Sequence, residues 1–501
     1  MMASIERPGF KPLLLPNHPS FTTDDPLGFS DADEYPVPVY SILESHLFSK
    51  FQSASQDIPP ESLTKELVSA ISDLSYTLHN RPDPRLNILK SCITSRAGAA
   101  NCIRSIVRSA SNLPTLFPSG SLPPLNHGET RTYTKSHLQS ILSHQLLLTL
   151  PSPQWNDWGG VNLTSWYSDA DGHKEPKQTY TKISLDYFTQ STEASQSQEF
   201  NFHLCHSDSL PSLATKTPLI PLTILELPNE SDFPATTLPA DNLHTTYIIS
   251  SHRLIGHGPS ATQEERILAS IPELLPVSTF TPPLEENTAL AVTVSGDIGF
   301  TPTAVFTGHG RTARIDESYD SQEYEANNAE NRIRANTFLF LNATELDTIN
   351  APVSKDGTET LSDFFPGMLE KDLLKAYTGF SGIFNSQARN GGKNQRIIAT
   401  PWGSGAFGGD VRVKLLILWV AASFAAATLE EGQKAELVFL VRQFVIDTKE
   451  ILWKEMLKKV QDSGIGADDI WRALLRLRES GNVKIFEGVV DALGLERPHV
   501  I

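Results

Sequence analysis

Apolar positions fall at helical spacing early in the chain and gather into short runs later. Leu63, Leu67, Ile71, Leu74 and Leu78 recur at steps of four and three, one face of a helix. Pro59-Pro60 precede that helix, and Asn80-Arg81-Pro82 close it. A second helical stretch is predicted over about Leu86–Ala110, followed by a loop punctuated by Pro114, Pro118, Pro123 and Pro124. Thr134 offers an N-cap to a third helix, with Leu138, Ile141, Leu142, Gln145 and Leu146 on its face and Pro151 as its stop. The first 40 residues, rich in Pro, Asp and Ser, read as a loosely packed arm.

Beyond Asn156 the pattern changes. The β-prone runs Leu222–Leu227, Thr245–Ser250, Ala289–Val294 and Thr337–Leu341 alternate with helical segments and polar loops, which predicts an α/β layered domain. From Val411 onward the reading is nearly all helical. It begins with the apolar run Leu415–Leu429 and continues into amphipathic stretches at Ile451–Val460 and Asp469–Leu477.

Composition narrows the possibilities. Hydrophobic residues at 39% support a globular chain rather than a disordered one. Lys+Arg total 41 against Asp+Glu 58, a formal charge of −17 that opposes nonspecific binding to nucleic acid or an anionic membrane. A phosphate-rich ligand therefore needs a local site. Cys92, Cys102 and Cys205 make neither a disulfide framework nor a CxxC zinc motif, which favours a reducing compartment. The charged, proline-bearing N-terminus is not expected to be a signal peptide. Leu415–Leu429 falls short of the roughly 20 residues that a membrane helix needs. These features predict a nuclear or cytoplasmic protein, in which the sequons at Asn162, Asn229 and Asn342 are chance matches.

Three stretches could carry chemistry. Ile255 to Glu265 places glycines after a probable strand and two adjacent acids at the start of a probable helix. Glycines let backbone N–H groups approach an anion, and a carboxyl near bound phosphate has its pKa raised toward the range of a general acid. The alternative is a plain turn with Gln263-Glu264-Glu265 as a solvated first helical turn. Thr400 to Asp410 sets glycines and Phe407 directly before the long apolar segment; it reads as a diphosphate loop or as a tight turn with Asp410 as N-cap. In Phe306 to Thr312, His309 and Arg311 flank glycines. No GxxxxGK[ST] pattern is present, and the histidines lack metal-ligand spacing.

Taken in order, these stretches resemble the poly(ADP-ribose) glycohydrolase family. Gly256-His257-Gly258 followed by Gln263-Glu264-Glu265 resembles its glycine triplet and Gln-Glu-Glu signature. Trp402 to Asp410 resembles its WGxGAFGGD loop, and Lys375 to Phe380 its KAYxGF. Leu113 to Pro118, Tyr133 to Pro151, Val161 to Leu163 and Ile183 to Phe188 are similar to its helical accessory region. The resemblance implies a macrodomain-like three-layer α/β/α core with an N-terminal helical accessory domain and a helical C-terminus. Residues 1–150 would form the arm and accessory domain, and 151–501 the catalytic domain with its C-terminal extension.

The implied activity is hydrolysis of ribose–ribose O-glycosidic bonds in poly(ADP-ribose), a step of the DNA damage response. The partners implied are the polymer and ADP-ribosylated proteins, with ADP-ribose as product and no metal or other cofactor. Glu265 would be the catalytic acid, Glu264 would hold ribose hydroxyls, and Gln263 would support their loop. Gly256, His257 and Gly258, with Gly405, Ala406, Phe407 and Gly408, would bind the diphosphate and its ribose. His252 stands where the family has a ribose-contacting Asn, and His309 where it has an adenine-clasping Tyr. Glu230 or Asp232 would supply an adenine-pocket acid. His257 replaces the middle glycine and would either donate to phosphate or crowd it; the link from Pro259 to Thr262 is shorter than the family's. A catalytically weak ADP-ribose reader is the alternative function.

Overall fold

A computed structural model of the chain describes residues 9–29, 36–52, 58–79, 84–156, 160–170, 172–190, 196–211, 216–227, 243–296, 299–308, 310–316, 335–348, 361–388, 394–442, 450–481 and 484–497. Its centre is an eight-stranded mixed sheet built from β1 (Thr130–Thr134), β2 (Glu199–His206), β3 (Leu222–Leu227), β4 (His244–Ser251), β5 (Thr288–Val294), β6 (Thr337–Asn342), β7 (Gln395–Ala399) and β8 (Ala435–Arg442). The strand order is β1-β2-β5-β6-β4-β7-β8-β3. Pairing is antiparallel from β1 to β6 and parallel from β6 to β3.

Alternation along the strands divides the core into two layers. Tyr247, Ile249, Phe338, Phe340, Ile398, Val438 and Leu440 face one cluster; Ile248, Leu339, Leu341, Ile397, Leu437 and Phe439 face the other. The first cluster continues into α1 (Pro60–His79), α2 (Asn87–Thr94), α3 (Ala99–Ser111), α4 (Lys135–Leu146), α5 (Lys174–Gln190) and α6 (Gln263–Ser270). The second is covered by α7 (Met368–Ala388), α8 (Val411–Ala426), α9 (Glu450–Asp462), α10 (Ala467–Ser480) and α11 (Ile485–Ala492). The fold is therefore a macrodomain-like three-layer α/β/α core, with helices at both ends of the chain. The N-terminal helices share one continuous apolar core with the sheet, and β1, from the N-terminal third, is the sheet's edge.

Three sequence expectations are corrected. The segment from Val411 onward is not all helical, because β8 enters the parallel part of the sheet. Its run Leu437 to Val441 is buried on both faces, so it lacks alternation and reads like a buried helix. The stretch Leu86–Ala110 is two helices, broken where Gly98 takes φ +75°. The described part of the N-terminal arm is packed: Leu13–Leu14 pair with Ser121–Leu122, and Leu15, Val37 and Val39 are buried. Single apolar residues among prolines carry no period, so this packing had no sequence signal. The Thr134 cap is present; its hydroxyl accepts from the His137 N–H.

α7 and α8 lie close to the sheet and to each other because small residues permit it. A Cβ on Gly379 would come within 2.8 Å of Leu341 and 2.9 Å of Leu339 side chains. Between these helices sits Lys414 of α8, fully buried. Its ammonium is 3.0 Å from Asp363 Oδ1 and is also paired with Asp372. Asp363 Oδ2 accepts the Asp410 N–H at 2.7 Å, and Asp372 Oδ1 accepts from Thr344 Oγ1 at 2.6 Å. Burial pulls the Lys414 pKa down, but Asp372 and Asp363 outweigh it and hold the amine above its ordinary value. Lys414→Met, which strands two buried carboxyls, is expected to cost about 3–5 kcal/mol of stability in urea unfolding at neutral pH. A loss under about 1 kcal/mol would show that this cation does not hold the layer together.

Candidate active site

The described ends of β4, β6 and β7 lie on the same edge of the sheet, because the three strands are parallel neighbours. Ligand clefts in open α/β sheets form beyond such carboxyl ends. The loop after β4 runs from His252 to Thr262 and feeds directly into α6. Thr262 caps α6: its hydroxyl accepts from the Glu265 N–H at 3.4 Å, and Glu265 Oε2 accepts from the Thr262 N–H at 2.9 Å. Ala261 closes the short link with φ +54°, a left-handed conformation that costs a non-glycine residue about 1–2 kcal/mol.

This geometry sends the three signature side chains in different directions. Gln263 turns into the sheet edge: Oε1 accepts from the Ser250 N–H at 2.9 Å, and Nε2 donates to Thr400 Oγ1 at 3.1 Å. It thus ties the end of β4 to the residue that follows β7. Glu264 accepts from the backbone N–H of His252 at 2.9 Å and of Gly256 at 3.2 Å, which clamps the loop around its carboxyl. Glu265 has one oxygen in the capping box, while Oε1 lies against Gly258. A Cβ there would overlap that oxygen and stand 3.0 Å from the Cδ. Glu264 and Glu265 are only 6% and 8% exposed, which rules out the solvated-turn alternative.

Burial has an electrostatic consequence. Desolvation pushes the Glu264 pKa up to about 8, against the pull of the His252 and Gly256 N–H groups, with Glu265 adding a further push. Desolvation also raises Glu265, opposed by backbone N–H groups at Thr262, Ser260 and Ala261. Both carboxyls of the cleft thus keep their protons to higher pH than exposed ones do.

The cleft itself has a volume of about 230 Å³ and is lined by His252, Gly256, His257, Gly258, Glu264 and Glu265 from the β4–α6 segment. Asn156, Asn162, Ser165 and Ser278 line it from elsewhere in the chain. Asn156, Ser165 and Ser278 had no sequence signal, since isolated polar residues in loops and short helices follow no spacing. His257 Nε2 is 2.9 Å from the Val161 carbonyl, and the ring stands edge-on to Trp166 with centroids 5.6 Å apart. Burial lowers its pKa, so neutral His257 donates to Val161. That nitrogen is engaged with the wall formed by residues 161–166. The same wall holds the triplet's backbone, as Ser165 Oγ donates to the His257 carbonyl and Trp166 Nε1 to the Gly258 carbonyl.

The glycine turn lies one link away. The Gly403 N–H donates to Ser250 Oγ at 3.2 Å, and the Phe407 carbonyl accepts from Leu346 and Asp347. Gly405 and Ala406 are exposed and Phe407 is half-buried; a Cβ on Gly405 would meet open space. The fold itself explains other glycines. Gly403 and Gly408 have positive φ, and a Cβ on Gly409 would collide with Lys414. Asp410 caps α8 by accepting from the N–H groups of Arg412 and Val413. His309, Glu230 and Asp232 lie outside the described residues. Among the described residues no helix is long and apolar enough to cross a membrane.

Residues 235–430 match the family model described as poly(ADP-ribose) glycohydrolase (PARG), Macro domain fold. Among solved structures, the chain is similar to the three main domains of coronavirus nonstructural protein 3. Identity is 9% and the TM-score 0.24, over 47% of this chain and 36% of that one. It is also similar to poly(ADP-ribose) glycohydrolase from Thermomonospora curvata bound to the inhibitor ADP-HPD, at 15% identity and TM-score 0.22, over 44% of this chain and 73% of that one. The chain thus spans about a third of the viral protein's length.

The raised carboxyl predicts a signed pH effect. A carboxyl whose pKa rises on folding keeps its proton longer in the native state, so its contribution to stability falls as pH climbs from the ordinary 4.5 to about 8. The difference in melting temperature between Glu264→Gln and the wild type should shift in the variant's favour across that window. A difference that does not change with pH would mean that Glu264 titrates like an exposed carboxylate.

Proposed function

From the match of residues 235–430 to the poly(ADP-ribose) glycohydrolase family model, we propose that this protein hydrolyses ribose–ribose O-glycosidic bonds of poly(ADP-ribose) and releases ADP-ribose. The observation that carries the reading is the buried pair Glu264–Glu265 in the cleft, its carboxyls biased toward protonation.

Glu265 Oε1, against Gly258, donates its proton to the leaving ribose oxygen as the C1″–O bond breaks. The substrate's own diphosphate stabilises the oxocarbenium ion, so a second carboxylate nucleophile is not required. The Glu265 carboxylate then takes a proton from water, whose oxygen adds to C1″. Glu264, fixed by two backbone N–H groups, receives ribose hydroxyls and sets the sugar's position. Gly256 and Gly258 carry the diphosphate on one side. Gly405, Ala406 and Gly408 carry it on the other, with Phe407 against the ribose. His252 borders the ribose. His257 acts indirectly, by fixing the triplet to the accessory wall.

Glu265→Gln should lower release of ADP-ribose from polymer by roughly 10²-fold or more while ADP-ribose still binds. Retention of most activity would refute the assigned acid, and binding of ADP-ribose without turnover in the wild type would make the protein a reader. Glu264→Gln should impair turnover through lost ribose positioning.

Gly258→Ala separates position from chemistry. Its methyl displaces the flexible end of Glu265, so turnover should fall by at least about 10-fold. The melting temperature should stay nearly unchanged. Unchanged turnover would show that the Glu265 carboxyl is not held where this mechanism needs it.

A further inference from the structure

The loop Ala343–Thr348 follows β6 and has no part in the roles assigned above. Within it, Glu345 sets Oε1 3.3 Å from His252 Nε2. The next two residues, Leu346 and Asp347, donate their N–H groups to the Phe407 carbonyl at 3.0 and 3.1 Å. His252 in turn gives its own N–H to Glu264 Oε2. A continuous path therefore runs from the acid pair, through His252 and Glu345, to the glycine turn.

The ring chemistry of His252 favours this link in either charge state. In neutral imidazole, Nδ1 accepts the Leu254 N–H at 3.1 Å, which leaves the proton on Nε2. In imidazolium, Nδ1–H donates to the Leu254 carbonyl at 3.3 Å, and Nε2 again carries a proton. Both forms present an Nε2–H donor to Glu345. The base of the cleft is already cross-linked by Gln263 to Thr400 and by Gly403 to Ser250. Those bonds sit at the strand ends and leave the loop tips to be fixed separately.

We infer that Glu345 is a positioning residue of this site: by bracing His252 and by anchoring Phe407 through its neighbours' N–H groups, it sets the separation between the acid pair and the glycine turn. That separation fixes the length of sugar–diphosphate that fits between them. The identity of that ligand rests on the function proposed above; the brace itself does not. Glu345 is 39% exposed, and an exposed pair adds little to global stability, so its effect should appear in the site rather than in the fold.

The test compares Glu345→Ala, Glu345→Gln, His252→Ala and the double alanine variant. In hydrogen–deuterium exchange, the Leu346 and Asp347 amides should exchange faster in Glu345→Ala and in His252→Ala, while those of β7 stay protected. The double variant should be no worse than either single one. Glu345→Gln keeps an acceptor for Nε2–H and should restore most of the protection. Glu345→Ala should raise the Kd of the probe ADP-ribose and the KM for the polymer about 10-fold, with a smaller change in kcat. Wild-type exchange at Leu346 and Asp347 in the alanine variant, or additive effects of the two substitutions, would overturn the inference. If the wild type binds no ADP-ribose, the proposed ligand fails and the exchange data alone decide the brace.

Discussion

The buried ammonium of Lys414 is the constraint on which the site's architecture rests. It lies between Asp363 and Asp372, and those two carboxyls bond to different segments. Asp363 takes the Asp410 N–H at the end of the glycine turn, and Asp372 takes the Thr344 hydroxyl in the loop after β6. One charge therefore fixes α7, α8, the glycine turn and the loop that carries Glu345 relative to one another. Such a charge is tolerated inside a protein only when it is paired and its remaining hydrogen-bonding sites are filled. The glycines around it follow from the same requirement, since a side chain on Gly409 would occupy the space of the Lys414 stem.

On that frame the cleft is a consequence of topology. β4, β6 and β7 end together, and their following loops meet. Gln263 stitches two of them at the base, and the capped start of α6 brings Glu264 and Glu265 to the meeting point. The N-terminal segment closes the side through Val161, Ser165 and Trp166. Polar atoms held by backbone N–H groups, in a site shielded from water, form a preorganised environment. Carboxyls there keep protons at a pH where exposed ones would lose them.

Much of this was legible in the sequence, for identifiable reasons. Thr134 and Asp410 precede helices they cap, and short polar side chains at those points carry the cap in their chemistry. The acid pair and glycine turn announced themselves as motifs. β8 was not legible, because a strand buried on both faces looks like a buried helix. The packing of Leu13, Val37 and Val39 was equally silent. So were Asn156, Ser278 and Glu345, whose relation to the cleft exists only once distant loops converge. The direction of the His257 ring depended on Val161 and Trp166, nearly a hundred residues away in the chain.

The central claim is that one ligand spans the acid pair and the glycine turn. A crystal structure of the Glu265→Gln variant with ADP-ribose tests it most directly. The account predicts the distal ribose against Glu264. It places the diphosphate between the backbones of Gly256–Gly258 and Gly405–Gly408, with Phe407 covering the ribose. A ligand bound elsewhere, or a diphosphate that leaves the glycine turn untouched, would contradict it.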